Sequence, residues 1–377
     1  MKWRDGMVEK KHDVMYFINQ LLTKASQQRA SDIHIEPQAT HVRIRQRIDG
    51  FLLETDQIAK AFANALISHI KITSQLDIGE KRMPQDGAMR WEEQDVRLDV
   101  RVSTLPTAHG EKVVLRLLKT EQQAYQLDDL GMPPAERDRT ELLLRRGSGL
   151  VIVSGPTGSG KTTTLYAMIQ ALNRTEANIV TLEDPIELKL QGVNQVQIRP
   201  KAGLTFARGL RSVLRQDPDI IMIGEIRDEE TANIAIGAAL SGHLVLSSLH
   251  TSDAIRAVTR LVDMGIEPYR VAAALSGVIA QRLVRLVCDQ CGGKRCSVCQ
   301  HTGYHGRTGA FEVMGMDEDL EQLIAKGASL ADMRALLREQ GVRGLKEAVK
   351  ALVDQNRTTY EEWMRVIEGV EKEQMEC

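Results

Sequence analysis

The chain opens on a helical pattern. In VMYFINQLLTKA the apolar residues Val14, Phe17, Ile18 and Leu21 fall at helical spacing, one stripe of an amphipathic helix. Polar and apolar residues then alternate through SDIHIEP and HVRIRQRIDGFLLE, the period of half-buried strands, with Asp49-Gly50 between two such runs as a hairpin turn. IAKAFANALISHIKITSQL returns to helical spacing. DVRLDVRVSTLP alternates strictly, with Val96, Leu98, Val100 and Val102 on one side and charged residues mostly on the other. These signals predict a small α+β module over residues 1–120, built on a sheet with one buried face.

A polar stretch ending in Gly-Met-Pro-Pro follows, and residues 121–135 read as a linker. Beyond it the pattern changes. GLVIVSG, NIVTLED, PDIIMIGE and HLVLSSLH are continuous apolar runs without alternation, the signature of parallel strands covered on both faces. Helices fall between them, as in LYAMIQAL, whose stripe is Leu165, Met168, Ile169 and Leu172. The fold class expected is α/β: a core over 136–287, a cysteine-bearing element over 288–310, and a helical tail over 311–377 made of EDLEQLIAKG, LADMRALLREQG and LKEAVKALVDQ.

Composition narrows the reading. Hydrophobic residues at 42% and charged residues at 27% describe an ordinary globular chain and exclude wholesale disorder. Lys+Arg 49 against Asp+Glu 51 leaves no global positive field, and 4% aromatic residues are few for stacking on bases, so no direct nucleic-acid binding is expected. MKWRDGMVEKKHD has no apolar stretch for a signal peptide. The longest uncharged run, Ala232 to Leu249, is interrupted by Asn233, Ser241, Gly242 and His243. It reads as a buried helix, a turn and a strand, because a membrane span needs about 20 mostly apolar residues. The location expected is cytoplasmic, with peripheral docking on the inner face of the cell membrane.

The chemistry begins at Gly155-Pro156-Thr157-Gly158-Ser159-Gly160-Lys161-Thr162, which fits the phosphate-loop pattern G-x-x-x-x-G-K-[ST]. An apolar strand runs in and a helix from Thr163 runs out. Glycines let consecutive N–H groups turn inward around phosphate oxygens, and the helix N-terminus adds its positive end. Lys161 is expected on the β- and γ-phosphates of ATP, and Thr162 on Mg²⁺.

Three later strand ends carry polar groups, where ligands of parallel sheets gather. Thr181-Leu182-Glu183-Asp184-Pro185-Ile186-Glu187 follows one strand, Gly224-Glu225 ends another where a Walker-B aspartate would normally stand, and His250 ends a third. An ionised Glu225 has two roles open to it, holding Mg²⁺ through water or orienting the attacking water. Glu183 and Glu187 compete with it for the base role. His250 has the chemistry to donate to a γ-phosphate oxygen.

Of five cysteines, four form Cys288-x-x-Cys291 and Cys296-x-x-Cys299, joined by Gly292-Gly293-Lys294-Arg295. Two such knuckles in a reducing compartment predict tetrahedral Zn²⁺ on four thiolates. An iron–sulfur cluster is a weaker reading, because the run lacks the bacterial ferredoxin spacing, and a pair of reversible disulfides is the other alternative.

SDIHIEP, RVSTLPTAHGEKVVLRLL, GPTGSGKTTTLY, TLEDPIE, LRQDPDIIMIGEIRDEETA, GHLVLSSLHTSDA, QRLVRLVC and GRTGAFEV together make the sequence resemble the secretion ATPases of the type II secretion and type IV pilus assembly family, the GspE/PilB group. The resemblance implies an N-terminal PAS-like domain, a RecA-like ATPase domain with a tetra-Cys zinc insertion, and a hexameric ring with ATP between subunits. It implies that Arg101 and Arg116 contact nucleotide phosphates, and it makes Arg227 a weaker candidate for coupling neighbouring sites. It also implies a motor that assembles a pilus-like filament through an inner-membrane platform protein. The layout resembles most the competence pseudopilus ATPase (ComGA-like), supporting DNA uptake or protein secretion. Two other readings stay open: a DNA-transfer ATPase with Arg208, Arg211 and Arg215 lining a pore, and a nucleotide-gated scaffold with little turnover.

Overall fold

A computed structural model describes residues 14–93, 96–119 and 126–375. The chain divides into two compact units, Met1–Gln122 and Gln123–Cys377.

The first unit runs α1 (Val14–Gln27), β1 (Ala30–Pro37), β2 (His41–Ile48), β3 (Phe51–Ala59), α2 (Lys60–Thr73), β4 (Gln85–Glu93), β5 (Val96–Thr107) and β6 (Gly110–Lys119). Its six strands form one antiparallel sheet in the order β3-β2-β1-β6-β5-β4. The predicted hairpin joins β2 and β3, with Asp49 and Gly50 both at positive φ, 48° and 84°, the turn whose twist matches its strands. Alternation along β1, β2 and β5 aims Ile33, Ile35, Val42, Ile44, Leu98, Val100 and Val102 at one face. Leu21 and Leu22 of α1 and Leu66 and Ile70 of α2 cover them there. Each such side chain contributes about 1.5–3 kcal/mol on burial.

The opposite face is polar and internally paired. Glu36 of β1 binds Arg45 at 2.7 Å, Arg43 at 3.0 Å and Lys112 at 3.2 Å. Burial opposes its charge, but these three cations prevail and hold its carboxyl down to about 2.

The second unit runs α3 (Pro134–Arg145), β7 (Gly149–Ser154), α4 (Lys161–Leu172), β8 (Ile179–Glu183), β9 (Asn194–Gln197), α5 (Phe206–Val213), β10 (Ile220–Ile223), α6 (Glu229–Leu240), β11 (Leu244–Leu249), α7 (Ala254–Asp263), α8 (Pro268–Ala274), β12 (Leu275–Val287), β13 (Tyr304–Gly315), α9 (Glu318–Ala325), α10 (Leu330–Glu339), α11 (Leu345–Asp354) and α12 (Tyr360–Met375). The sheet order is β13-β12-β7-β11-β10-β8-β9, parallel except for the β12–β13 pair. Leu150 and Ile152 of β7 enter one apolar cluster with α6 and α7, while Val151 and Val153 enter another with α4. Both faces of the strand are thus in hydrocarbon, which is why its sequence does not alternate.

Two expected boundaries are corrected. Residues 126–135 are not a free linker: Leu127–Leu130 forms a 3₁₀ turn with Leu127 and Leu130 buried in the α4-side cluster, and Pro134 starts α3. The remainder of the expected linker, 121–125, lies outside the described residues. Likewise β13 crosses the limit expected at 310/311 and pairs with β12 from Gly277↔Gly315 to Val287↔Tyr304. The cysteines therefore occupy the tip of a long hairpin of the main sheet. No helix among the described residues is long and apolar enough to cross a membrane.

Candidate active site

Four neighbouring parallel strands, in the order β7-β11-β10-β8, bring Gly155, His250, Glu225 and Glu183 to one edge of the sheet. The phosphate loop leaves β7 at Ser154 and enters α4 at Lys161. Gly155 has φ 149°, and a Cβ there would lie 2.5 Å from Ser159 Oγ and 2.6 Å from the Gln281 carbonyl, so only glycine closes this turn. Gly155 N–H donates to Leu249 O at 3.3 Å, joining the loop to the strand that ends in His250. Lys161 Nζ reaches back over the loop to Gly155 O at 2.7 Å and Pro156 O at 3.1 Å. Ser159 Oγ is buried within the loop and has no protein partner, a donor that suits a phosphate oxygen. Pro156, Thr157, Gly158 and Gly160 complete the turn, and Thr162 and Thr163 stand in the first turn of α4 with Thr162 exposed.

Glu225 stands just past β10, where Ser248 Oγ holds Gly224 O at 2.7 Å and Ile226 N–H holds Ser248 O at 3.1 Å. Its carboxylate accepts from Arg227 at 2.5 Å and lies 3.4 Å from His250 Nε2. Burial opposes ionisation of Glu225, yet the hydrogen bond and charge of Arg227, helped by His250, hold its carboxyl below the usual range. His250 is pushed below its ordinary value by burial and then by the charge of Lys161, against the pull of Glu225. An ionised acid, a neutral imidazole and the loop lysine thus act on one another electrostatically. A neutral imidazole can donate from Nε2 to a carboxylate or phosphate oxygen while accepting nothing there.

Glu183 is placed differently from Glu225. Buried at the end of β8, its carboxylate accepts from Tyr166 Oη, from Thr181 Oγ1 at 2.6 Å and from Gln195 Nε2 at 2.9 Å. Glu187 is exposed in the turn beyond it. In the first unit, Arg101 and Arg116 face each other as register partners on β5 and β6, so two guanidiniums share one patch of the polar face. Arg116, 62% exposed, donates to Asp32 at 3.0 Å.

At the hairpin tip the four cysteines are unbridged and their Sγ atoms all lie within 4.8 Å of one another. Three pairs are 3.8–3.9 Å apart. Sulfurs bound tetrahedrally at ~2.3 Å from zinc are about 3.8 Å apart, so Cys288, Cys291, Cys296 and Cys299 fit that ion, and the spacing is far beyond a disulfide bond.

Two residues were given no role by sequence reasoning. Gln281, buried on β12, donates from Nε2 to Ser159 O at 2.7 Å and props the phosphate loop. Its only signal is a polar residue inside an otherwise apolar run. Tyr166 of α4 sits off the apolar stripe of its helix and holds Glu183.

With this geometry in place, comparison with known proteins is decisive. The chain matches the family "Type II/IV secretion system protein" over residues 8–365. It belongs to that family. It is 49% identical to the type II secretion system protein HxcR of Pseudomonas aeruginosa, over 94% of this chain and 77% of that one. It is 44% identical to the type IV pilus assembly ATPase PilB of Thermus thermophilus, over 92% of this chain and 42% of that one. Among solved structures, the ATPase DotB of Legionella pneumophila superposes with a TM-score of 0.75 at 25% identity, covering 94% of this chain and 96% of that one. The pilus retraction motor PilT, solved with ADP, superposes at 0.67 and 27% identity over 93% and 96%. As a member of this family the chain is an ATPase of α/β fold.

Proposed function

We propose that the protein is the motor subunit of a filament-assembling secretion or pilus system, working as a hexamer beneath an inner-membrane platform protein. The relatives named above, a secretion protein and a pilus assembly ATPase, support the class of work. A competence-type pseudopilus is one filament within that class. The observation that carries the chemistry is the Lys161, Glu225 and His250 grouping at the phosphate loop.

In this reading Gly155 to Thr163 cradle the triphosphate, and Lys161 exchanges its two loop carbonyls for phosphate oxygens. Thr162 would hold Mg²⁺ directly and Glu225 only through water, and the ion would supply neutralisation of charge on the β- and γ-phosphates. Glu225, kept ionised, orients and deprotonates the attacking water, and His250, kept neutral, donates to the γ-phosphate. Glu183 is left out of this chemistry because its carboxylate is already engaged by three internal donors. Arg101 and Arg116 supply guanidinium charge to the nucleotide of a neighbouring subunit. The zinc-bearing tip is a rigid outgrowth on the ATPase unit.

Glu225→Gln is the direct test. Turnover falls by about 10²–10⁴-fold while nucleotide binding persists; an active variant would remove Glu225 from the mechanism. Mixing Arg101→Ala with Lys161→Ala subunits tests the shared site, because some mixed rings regain an intact interface. Activity that never exceeds that of either pure variant would leave each subunit working alone.

A further inference from the structure

The turn after β8, which carries Glu187, is shaped almost entirely by side chains. The amides of Ile186 and Leu190 donate to Gln197 Oε1 at 3.0 Å and Gln195 Oε1 at 2.7 Å, while Gln195 Nε2 donates to Leu188 O at 2.9 Å. Both glutamines belong to β9, the sheet's edge strand. The intervening amides, Glu187 and Leu188, donate to Tyr166 Oη at 3.1 and 3.3 Å. Tyr166 in turn donates to Glu183.

A hydroxyl offers one donor and two lone pairs, so this group uses everything it has. The ring is 5% exposed, so water cannot replace it. Burial, reinforced by the carboxylate of Glu183, raises the tyrosine above its ordinary value and keeps the proton on the phenol. Tyr166 also stands one helical turn beyond Thr162, at the (i, i+4) position that shares its helix face. The helix whose first turn receives the phosphates and the acid-bearing turn are therefore fastened through one oxygen atom.

We infer that Tyr166 is a positioning residue for ATP hydrolysis, tying the Glu187-bearing turn to the phosphate-loop helix so that the two move as one body. It touches no reacting atom. Its effect runs through the turn: Gln195 and Gln197 fix the flanking amides of Ile186 and Leu190 to β9, and the phenol fixes those of Glu187 and Leu188 to the phosphate-loop helix. The inference rests on hydrolysis at the phosphate loop and does not require Glu225 to be the base.

The test is Tyr166→Phe in the full chain, comparing steady-state turnover, ADP affinity and hydrogen exchange of the peptide bearing Glu187 and Leu188. Losing a buried hydrogen bond of about 1–1.5 kcal/mol corresponds to roughly tenfold. Exchange of those amides is expected to rise and kcat to fall by about that factor. ADP affinity stays within about threefold. Unchanged turnover despite faster exchange would overturn the inference, as would a loss of turnover that only tracks lost nucleotide affinity or lost folded protein. If Tyr166→Phe proves insoluble, Glu183→Gln keeps the ring and weakens its grip. That variant must show the same paired change, and wild-type turnover in it would be equally fatal. Glu225→Gln should stop turnover without loosening these amides, so the base assignment and the tyrosine tie fail separately.

Discussion

The two sheets solve opposite problems. In the first unit a strand has one wet face, and its charges are consumed by each other, as Glu36 shows among Arg43, Arg45 and Lys112. In the second unit both faces of the central strands are dry, and the ionisable groups Lys161, Glu225 and His250 meet beyond the strand ends. Charge spread along the wet strands is mostly paired within the sheet, whereas charge held at the ends of dry strands is either consumed inside the protein or left with an exchangeable partner beside the phosphate loop. The same lesson separates Glu183, buried and consumed by three donors, from Glu225, which keeps an exchangeable partner in Arg227, 66% exposed.

The comparison can be broken in three places, beginning with the largest effect. At the hairpin tip, Cys288→Ser removes one of four thiolates from a site of a kind worth ~10–16 kcal/mol in zinc affinity. Elemental analysis should show the metal lost, and a wild type that is folded and free of metal would refute the zinc assignment. In the first unit, Lys71 is 1% exposed, ion-paired to Glu111, and donates to Glu80 O at 2.7 Å. Lys71→Ala strands that acid and should cost about 3–5 kcal/mol in denaturant unfolding, while Lys71→Met with Glu111→Leu recovers most of it. A loss under 1 kcal/mol would mean the pair is dispensable.

The smallest effect belongs to Glu312 of β13, the exception that sharpens the rule. It is a buried acid in the dry sheet, accepting from the first amides of α7 and α11, Ala254 at 3.4 Å and Leu345 at 3.3 Å. Burial and then the charge of Asp253 push its carboxyl up to about 7. Because the folded form keeps a proton that the unfolded chain releases near 4.5, stability falls as pH rises from about 4.5 to about 7. The decline expected is about 1–3 kcal/mol, read as urea midpoints against pH, and Glu312→Gln should flatten it.

Much of this was legible. Strict alternation gave β5 its buried face, unbroken apolar runs gave β7, β8, β10 and β11, and the glycine-lysine pattern located the phosphate loop. What escaped detection depends on direction in space. Leu127 and Leu130, two apolar residues in a polar stretch, are too few to signal a packed turn. The string Glu-Asp-Pro-Ile-Glu cannot reveal which acid points inward. Thr181 and Glu183 share a strand face by their spacing of two, and Tyr166 waits on the helix packed there. Gln281 in an apolar strand reads as a flaw until the loop carbonyl it serves is seen.

The β12–β13 ladder runs to Val287↔Tyr304, and one further backbone bond, Cys288 N–H to Gly303 O at 2.9 Å, ends it at the first cysteine. Whatever the tip contains is thus spliced onto a finished frame. The residues between Cys291 and Cys296 lie beyond this register, whereas Gln281 is held within it opposite Phe311, so the outline of the tip and the support of the phosphate loop are set by separate stretches of one hairpin.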